Sequence, residues 1–89
     1  MKAVLTVIGR DSVGILSLVS GACAAQKVNI EEVSQSVLQD LFCMIMLVDL
    51  AACPLPLAQF ADQMSALGNE KGLAIHVMHE DIFQAMHHI

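Results

Sequence analysis

The sequence predicts an α+β domain in the order β-α-β-β-α-β, a four-stranded antiparallel sheet with two helices on one face. Three observations carry this. Apolar runs bounded by glycine or proline alternate with stretches in which apolar residues recur at helical spacing. One strand candidate, FCMIMLVDL from Phe42 to Leu50, is apolar on both alternating faces, as a central strand is. Another, IEEVSQSVLQ from residue 30 to 39, is polar, as an edge strand is.

Residues 2 to 8, KAVLTVI, are rich in β-branched types and end at Gly9, which makes them the first strand. From Asp11 the period changes, and Ile15, Leu18, Val19, Ala22 and Cys23 fall on one helical stripe. Asp11 or Ser12 is expected to cap this helix, its oxygen accepting from the free N–H groups of the first turn. The helix should end near Gln26 or Lys27, with that cation near its negative end. The second strand follows, Asp40 and Leu41 turn the chain, and the apolar third strand begins. In the third strand Phe42, Met44, Met46 and Val48 form one face and Cys43, Ile45 and Leu47 the other. Pro54 and Pro56 break the chain, and Pro56 suits the first position of a helix. Leu57, Phe60, Met64 and Leu67 mark that second helix, with Gly68 or Gly72 to end it. LAIHVMH, 73 to 79, is the fourth strand, and residues 81–89 form a short helical tail with Ile82, Phe83 and Met86 at helical spacing. Two right-handed βαβ halves interleave in this order to give the ferredoxin-like sandwich, in which strands one and three lie in the middle. Those are the two most apolar strands. The helices cover one sheet face, so a second copy of the chain is the simplest cover for the other.

The 89 residues amount to a single domain, 1–89, and 56% of them are hydrophobic, above the roughly 45–50% of ordinary globular chains. The longest apolar run, Leu41 to Val48, is far short of the about 20 residues a spanning helix needs. Met1-Lys2-Ala3 leads straight into a strand pattern without a signal-peptide layout. A self-associating cytoplasmic subunit accounts for the apolar surplus. The net charge is −5, and the four basic residues, Lys2, Arg10, Lys27 and Lys71, form no cluster. With no Trp or Tyr for stacking, nucleic-acid binding is excluded as the main role. Cys23, Cys43 and Cys53 are odd in number and widely spaced, which argues for reduced thiols and against a disulfide framework or a metal site. No cofactor is implied.

The chemistry concentrates in GRDSVGIL, residues 9 to 16. Gly9 and Gly14 have the spacing of a P-loop, but Ile15 and Leu16 stand where the phosphate-binding Lys and the magnesium-binding hydroxyl belong. The dinucleotide pattern G-x-G-x-x-G fails at Asp11. What remains is a strand that ends, a turn, and a helix N-terminus beginning at a glycine. Its backbone N–H groups carry partial positive charge, and the missing side chain of Gly14 allows close approach, an arrangement that suits a carboxylate. The competing reading is a capped helix packed closely on its strand.

A strand, then GRDSVGIL, then an amphipathic helix, then Val28-Asn29-Ile30 opening the second strand, resembles an ACT domain over nearly the whole chain. The tail EDIFQAMHHI and the short length further resemble a small stand-alone ACT-domain family of uncharacterised proteins. ACT domains mostly serve as regulatory modules that bind amino acids or other small effectors at a subunit interface, beneath the loop between strand one and helix one. The resemblance implies ligand binding by Arg10, Asp11, Ser12, Val13, Gly14, Ile15 and Leu16 of one chain. Asn29 and Ile30 would come from the same or the neighbouring chain. It implies that Gly14 and its neighbouring amides receive a carboxylate, that Asn29 offers its amide, and that Asp11 meets an ammonium group. ACT domains are usually appended to the catalytic or DNA-binding domain they regulate, and this sequence departs from that pattern, so any regulated output is expected on another polypeptide or is absent.

Acylphosphatases share the strand order and use an Arg in the first loop with an Asn elsewhere, for which Arg10 and Asn29 are the matching types. The glycine-rich cradle before that Arg is missing, because Val7-Ile8-Gly9 leads into it. His76 and His79 lie three apart on a strand and face apart, as do the neighbours Glu31 and Glu32, so neither pair is placed for chelation or paired acid–base work. His87 and His88, adjacent near the C-terminus, are expected to be solvated or packed, and Met44 and Met46 are core or interface. The expectation is a non-catalytic module that binds a small effector, an amino acid foremost, between subunits of a homo-oligomer. The alternatives are a protein-interaction module without a small ligand and an acylphosphatase-like hydrolase.

Overall fold

The computed structural model describes residues 1–87. Strands β1 (Lys2–Arg10), β2 (Asn29–Leu38), β3 (Leu41–Asp49) and β4 (Leu73–His79) form one sheet in the order β2-β3-β1-β4, with every neighbour antiparallel. Helices α1 (Ile15–Ala25) and α2 (Leu57–Lys71) join the strands, and α3 (Glu80–His87) follows β4 without a loop. The predicted architecture is the observed one.

The core lies between the sheet and the first two helices. Ala3, Leu5 and Val7 of β1 and Phe42, Met44, Met46 and Val48 of β3 point into it, all buried. From α1 come Ile15, Val19 and Cys23, and from α2 Phe60 and Met64, each set spaced by four residues on one helix face. Leu18, Ala22, Leu57 and Leu67 flank these stripes, half-buried. No polar side chain is buried among the described residues. The core is therefore held by apolar burial, about 1.5–3 kcal/mol for each large side chain.

Local signals explain the ends of the helices. Gly72 (φ 72°) closes α2, and Gly68 stays inside it, buried. Pro56 is the N-cap of α2 rather than its first residue, in an extended conformation whose carbonyl accepts from Phe60 N–H at 3.0 Å. At the end of α1, Val28 N–H donates to Cys23 O at 2.9 Å and Lys27 N–H to Ala24 O at 3.0 Å. This is a Schellman closure with Lys27 in the left-handed position (φ 58°) usually held by glycine. Lys27 thus lies beyond the last turn of α1, which contains no basic residue. The β2–β3 turn is Gln39-Asp40 rather than Asp40-Leu41, because Leu41 already pairs with Leu38.

The second sheet face differs from expectation. A partner copy was the expected cover, yet α3 lies on part of it. It contacts β1 and β4, and Val4, which points away from the core, is only 6% exposed. The cover stops there: Ile8 (45%) and Ile45 (46%) on the same face are exposed. β1 is therefore covered on this face only at one end.

Candidate functional site

The loop between β1 and α1 runs from Asp11 to Gly14, because Arg10, expected in the loop, still pairs with Leu41 as the last residue of β1. Gly14 is the N-cap of α1, with φ 89° and ψ 8°, and its carbonyl accepts the first helical bond from Leu18 N–H at 2.9 Å. The amides of Ile15, Leu16 and Ser17 precede that bond and have no acceptor within the helix. The expected cap from Asp11 or Ser12 does not form, and no side chain caps α1. The cause is local: the turn needs a left-handed residue just before the helix, and glycine takes that conformation without strain. This moves the cap position beyond Ser12 and Asp11. The Asp11 amide instead donates to Asp40 O at 2.8 Å, tying the loop to the β2–β3 turn. Its carboxylate makes no hydrogen bond or ion pair among the described residues.

Ser12, Val13, Gly14, Ile15 and Leu18 line a concavity of about 290 Å³, closed on its other side by Lys71 and Leu73. Val13 is fully exposed, and no atom lies within 4 Å of where a Cβ on Gly14 would be, so the backbone is open to approach. Ile15 is buried, and its side chain anchors α1 to the core. Leu16 is exposed on the first turn, Arg10 at the strand end and Asp11 just after it; none of the three lines the concavity. Lys71 was missed as a site residue. In the sequence it is one of four scattered cations, but Gly9 pairs with Leu73, which brings the end of α2 to the end of β1. The start of one helix and a lysine ammonium thus flank the same hollow. Both favour an anion.

Asn29 and Ile30 stand elsewhere. Asn29 pairs with Asp49, which pairs with Lys2 at the start of β1, whereas Arg10 at its end pairs with Leu41. Eight residue steps separate the two ends, about 27 Å. Asn29 is exposed, while Ile30 is half-buried opposite Val48 and packs against the core. One chain does not bring Asn29 to the 10–16 loop. The Arg10 and Asn29 that an acylphosphatase-like reaction would pair are at opposite ends of the sheet.

Other chemistry-bearing groups are dispersed. His76 is opposite Thr6 and His79 opposite Ala3, on different faces. Among the described residues no group of three or more His, Cys, Asp or Glu could hold a metal ion. His88 lies outside the described residues. Cys23, Cys43 and Cys53 are free, and burial raises the Cys23 thiol to about 11. Among the described residues no helix is long and apolar enough to cross a membrane.

A four-stranded sheet in this order, with an open β1–α1 loop, defines a class, and comparison with known proteins names it. The family model of the ACT domain matches residues 2–78. The UPF0237 protein of Methanopyrus kandleri is 42% identical over 88 residues, covering 99% of this chain and 98% of that protein. An ACT domain protein from Streptococcus pneumoniae superposes with a TM-score of 0.83 at 32% identity, over 93% of each chain. A formyltetrahydrofolate deformylase from Pseudomonas syringae shares the fold alone, with a TM-score of 0.79 at 22% identity over 88% of this chain and 27% of that one. The chain belongs to the ACT-domain family, and within it to the UPF0237 proteins.

Proposed function

We propose that this ACT domain is a non-catalytic regulatory module. It binds a small carboxylate-bearing effector, an amino acid foremost, between two copies of the chain. The observation that carries this reading is the uncapped start of α1 beside Lys71, with Gly14 leaving the backbone open. A carboxylate there would accept from the free amides of the first turn and meet the ammonium of Lys71. Asp11, at the edge of the loop with its carboxylate unengaged, would turn toward an α-ammonium group in this reading.

A second copy would supply Asn29 and Ile30. β2 is an edge strand. Pairing two β2 edges antiparallel about a two-fold axis normal to the sheet reverses one chain relative to the other. The Asn29 end of one copy then lies beside the Leu38 end of its partner, three strand spacings from that partner's β1–α1 loop, about 14 Å. The free cysteines suit a reducing compartment, and the cytoplasm is the location this reading assumes.

A thermal-shift panel of the protein amino acids, followed by amide chemical-shift mapping, tests it. The expected result is stabilisation by at least one amino acid, with shifts at residues 10–18, 29–30 and 71, and about tenfold weaker binding in Lys71→Ala. A full panel without stabilisation or shifts would sink the reading. An alternative role as a protein-docking module draws on exposed Ile8, Leu41 and Ile45 of the uncovered sheet face. A stable partner complex insensitive to Gly14→Ala and Lys71→Ala would favour it.

A further inference from the structure

The helix on the second face creates a cavity that the loop site does not explain. It holds about 300 Å³ and lies between α3 and the sheet. Its floor is Val4, Ile45 and Leu47, and Phe83 and Gln84 of α3 form a wall. Glu32 and Ser34, which pair with Leu47 and Ile45 on β2, line one side, and Glu80, at the start of α3, lines the other. This is an apolar hollow with few polar groups, the usual make-up of a small-molecule pocket.

Its charged groups, Glu32 and Glu80, have one sign, beside the neutral Ser34 and Gln84. At this end of the sheet the carboxylates of Glu31, Glu32, Asp49 and Glu80 stand against two cations. Lys2 Nζ pairs with Glu31 at 2.9 Å and also lies within Coulomb range of Glu80, and the N-terminal amine stands 3.8 Å from Asp49. Glu32 and Glu80 form no ion pair among the described residues, and they reach the cavity from different elements.

We propose that this cavity binds an organic cation, a molecule with an apolar or aromatic body and a protonated amine but no carboxylate. The body would fill the hollow over Val4 and Leu47 against Phe83, and the ammonium would meet Glu32 and Glu80. A carboxylate on the ligand would be repelled, so an amino acid suited to the loop is unsuited here. Val4 and Arg10 are six steps apart on β1, about 20 Å, which makes the two sites separate. The inference does not rest on the loop reading.

The test uses phenethylammonium as probe and 3-phenylpropionate as the same body with the opposite charge, each titrated into the full chain by amide chemical-shift mapping. Phenethylammonium is expected to shift residues 32–34, 45–47 and 80–84. The carboxylate should bind at least about tenfold more weakly. Glu32→Gln and Glu80→Gln should each weaken the amine about five- to tenfold. Because Glu80→Gln can loosen α3, Glu32→Gln on the sheet is the deciding variant. Equal binding of both probes, unchanged affinity in Glu32→Gln, shifts centred on residues 12–18 and 71, or no shift at about 10 mM amine would each overturn the proposal.

Discussion

Gly68 of α2 lies against Leu73 of β4 so closely that a Cβ on Gly68 would stand 2.5 Å from the Leu73 carbonyl oxygen and 2.9 Å from Ile75 Cγ1. The carbonyl is backbone and cannot swing aside. Gly68→Ala is expected to cost about 2 kcal/mol or more, by forcing α2 off the sheet. Gly21, inside α1, is exposed, with nothing within 4 Å of its Cβ position. Gly21→Ala should stabilise by up to about 1 kcal/mol through helix propensity alone. Urea unfolding of the two variants checks a prediction of opposite sign for the same substitution.

Gly14 makes a different demand. Its Cβ would meet nothing, so Gly14→Ala costs only what an L-residue pays at φ 89°, about 1–2 kcal/mol. The loss should appear as a lower urea midpoint with an unchanged m-value. A fall in m would mean that the loop or the native state had rearranged.

Lys27 pays a similar penalty in the native protein, since it holds the left-handed position of the α1 closure. Lys27→Gly is expected to raise stability by about 0.5–1 kcal/mol, the relief of strain outweighing the added freedom of the unfolded chain. Thermal unfolding that showed a loss would indicate that the lysine stem contributes packing the closure geometry does not reveal.

Burial raises the Cys23 thiol from its ordinary value of 9.0 to about 11. The folded state thus holds this proton more tightly than the unfolded state. Its contribution is complete below pH 9 and is lost as pH rises through about 11. Cys23→Ala should flatten part of the alkaline loss of stability between those values. Iodoacetamide at pH 8 should label Cys43 and Cys53, both half-buried, well before Cys23.

The strands and the core were legible because the period of two in β1 and β3 and the spacing of four in Ile15-Val19-Cys23 record which side is dry. The polar β2 was legible as an edge for the same reason. The site was legible in part. Gly14 announced a turn, but whether Asp11 caps a helix depends on where the left-handed residue falls, and residue preference leaves that open by two or three positions. Lys71 entered the hollow only through the Gly9–Leu73 pairing, which is a fact of topology. Asn29 followed from resemblance, and the register puts it at the far end of the sheet. The side taken by α3 was not legible at all, because an eight-residue helix with Ile82, Phe83 and Met86 can pack on either face.

The separation of Asn29 from the β1–α1 loop has a consequence for dose response. A ligand that touches both ends needs two chains at once, so wherever the ligand-free chains dissociate its half-saturation point falls as protein concentration rises. Dilution would then release it even at constant free ligand. Under the proposed function, such a domain would read two abundances together, the effector's and its own.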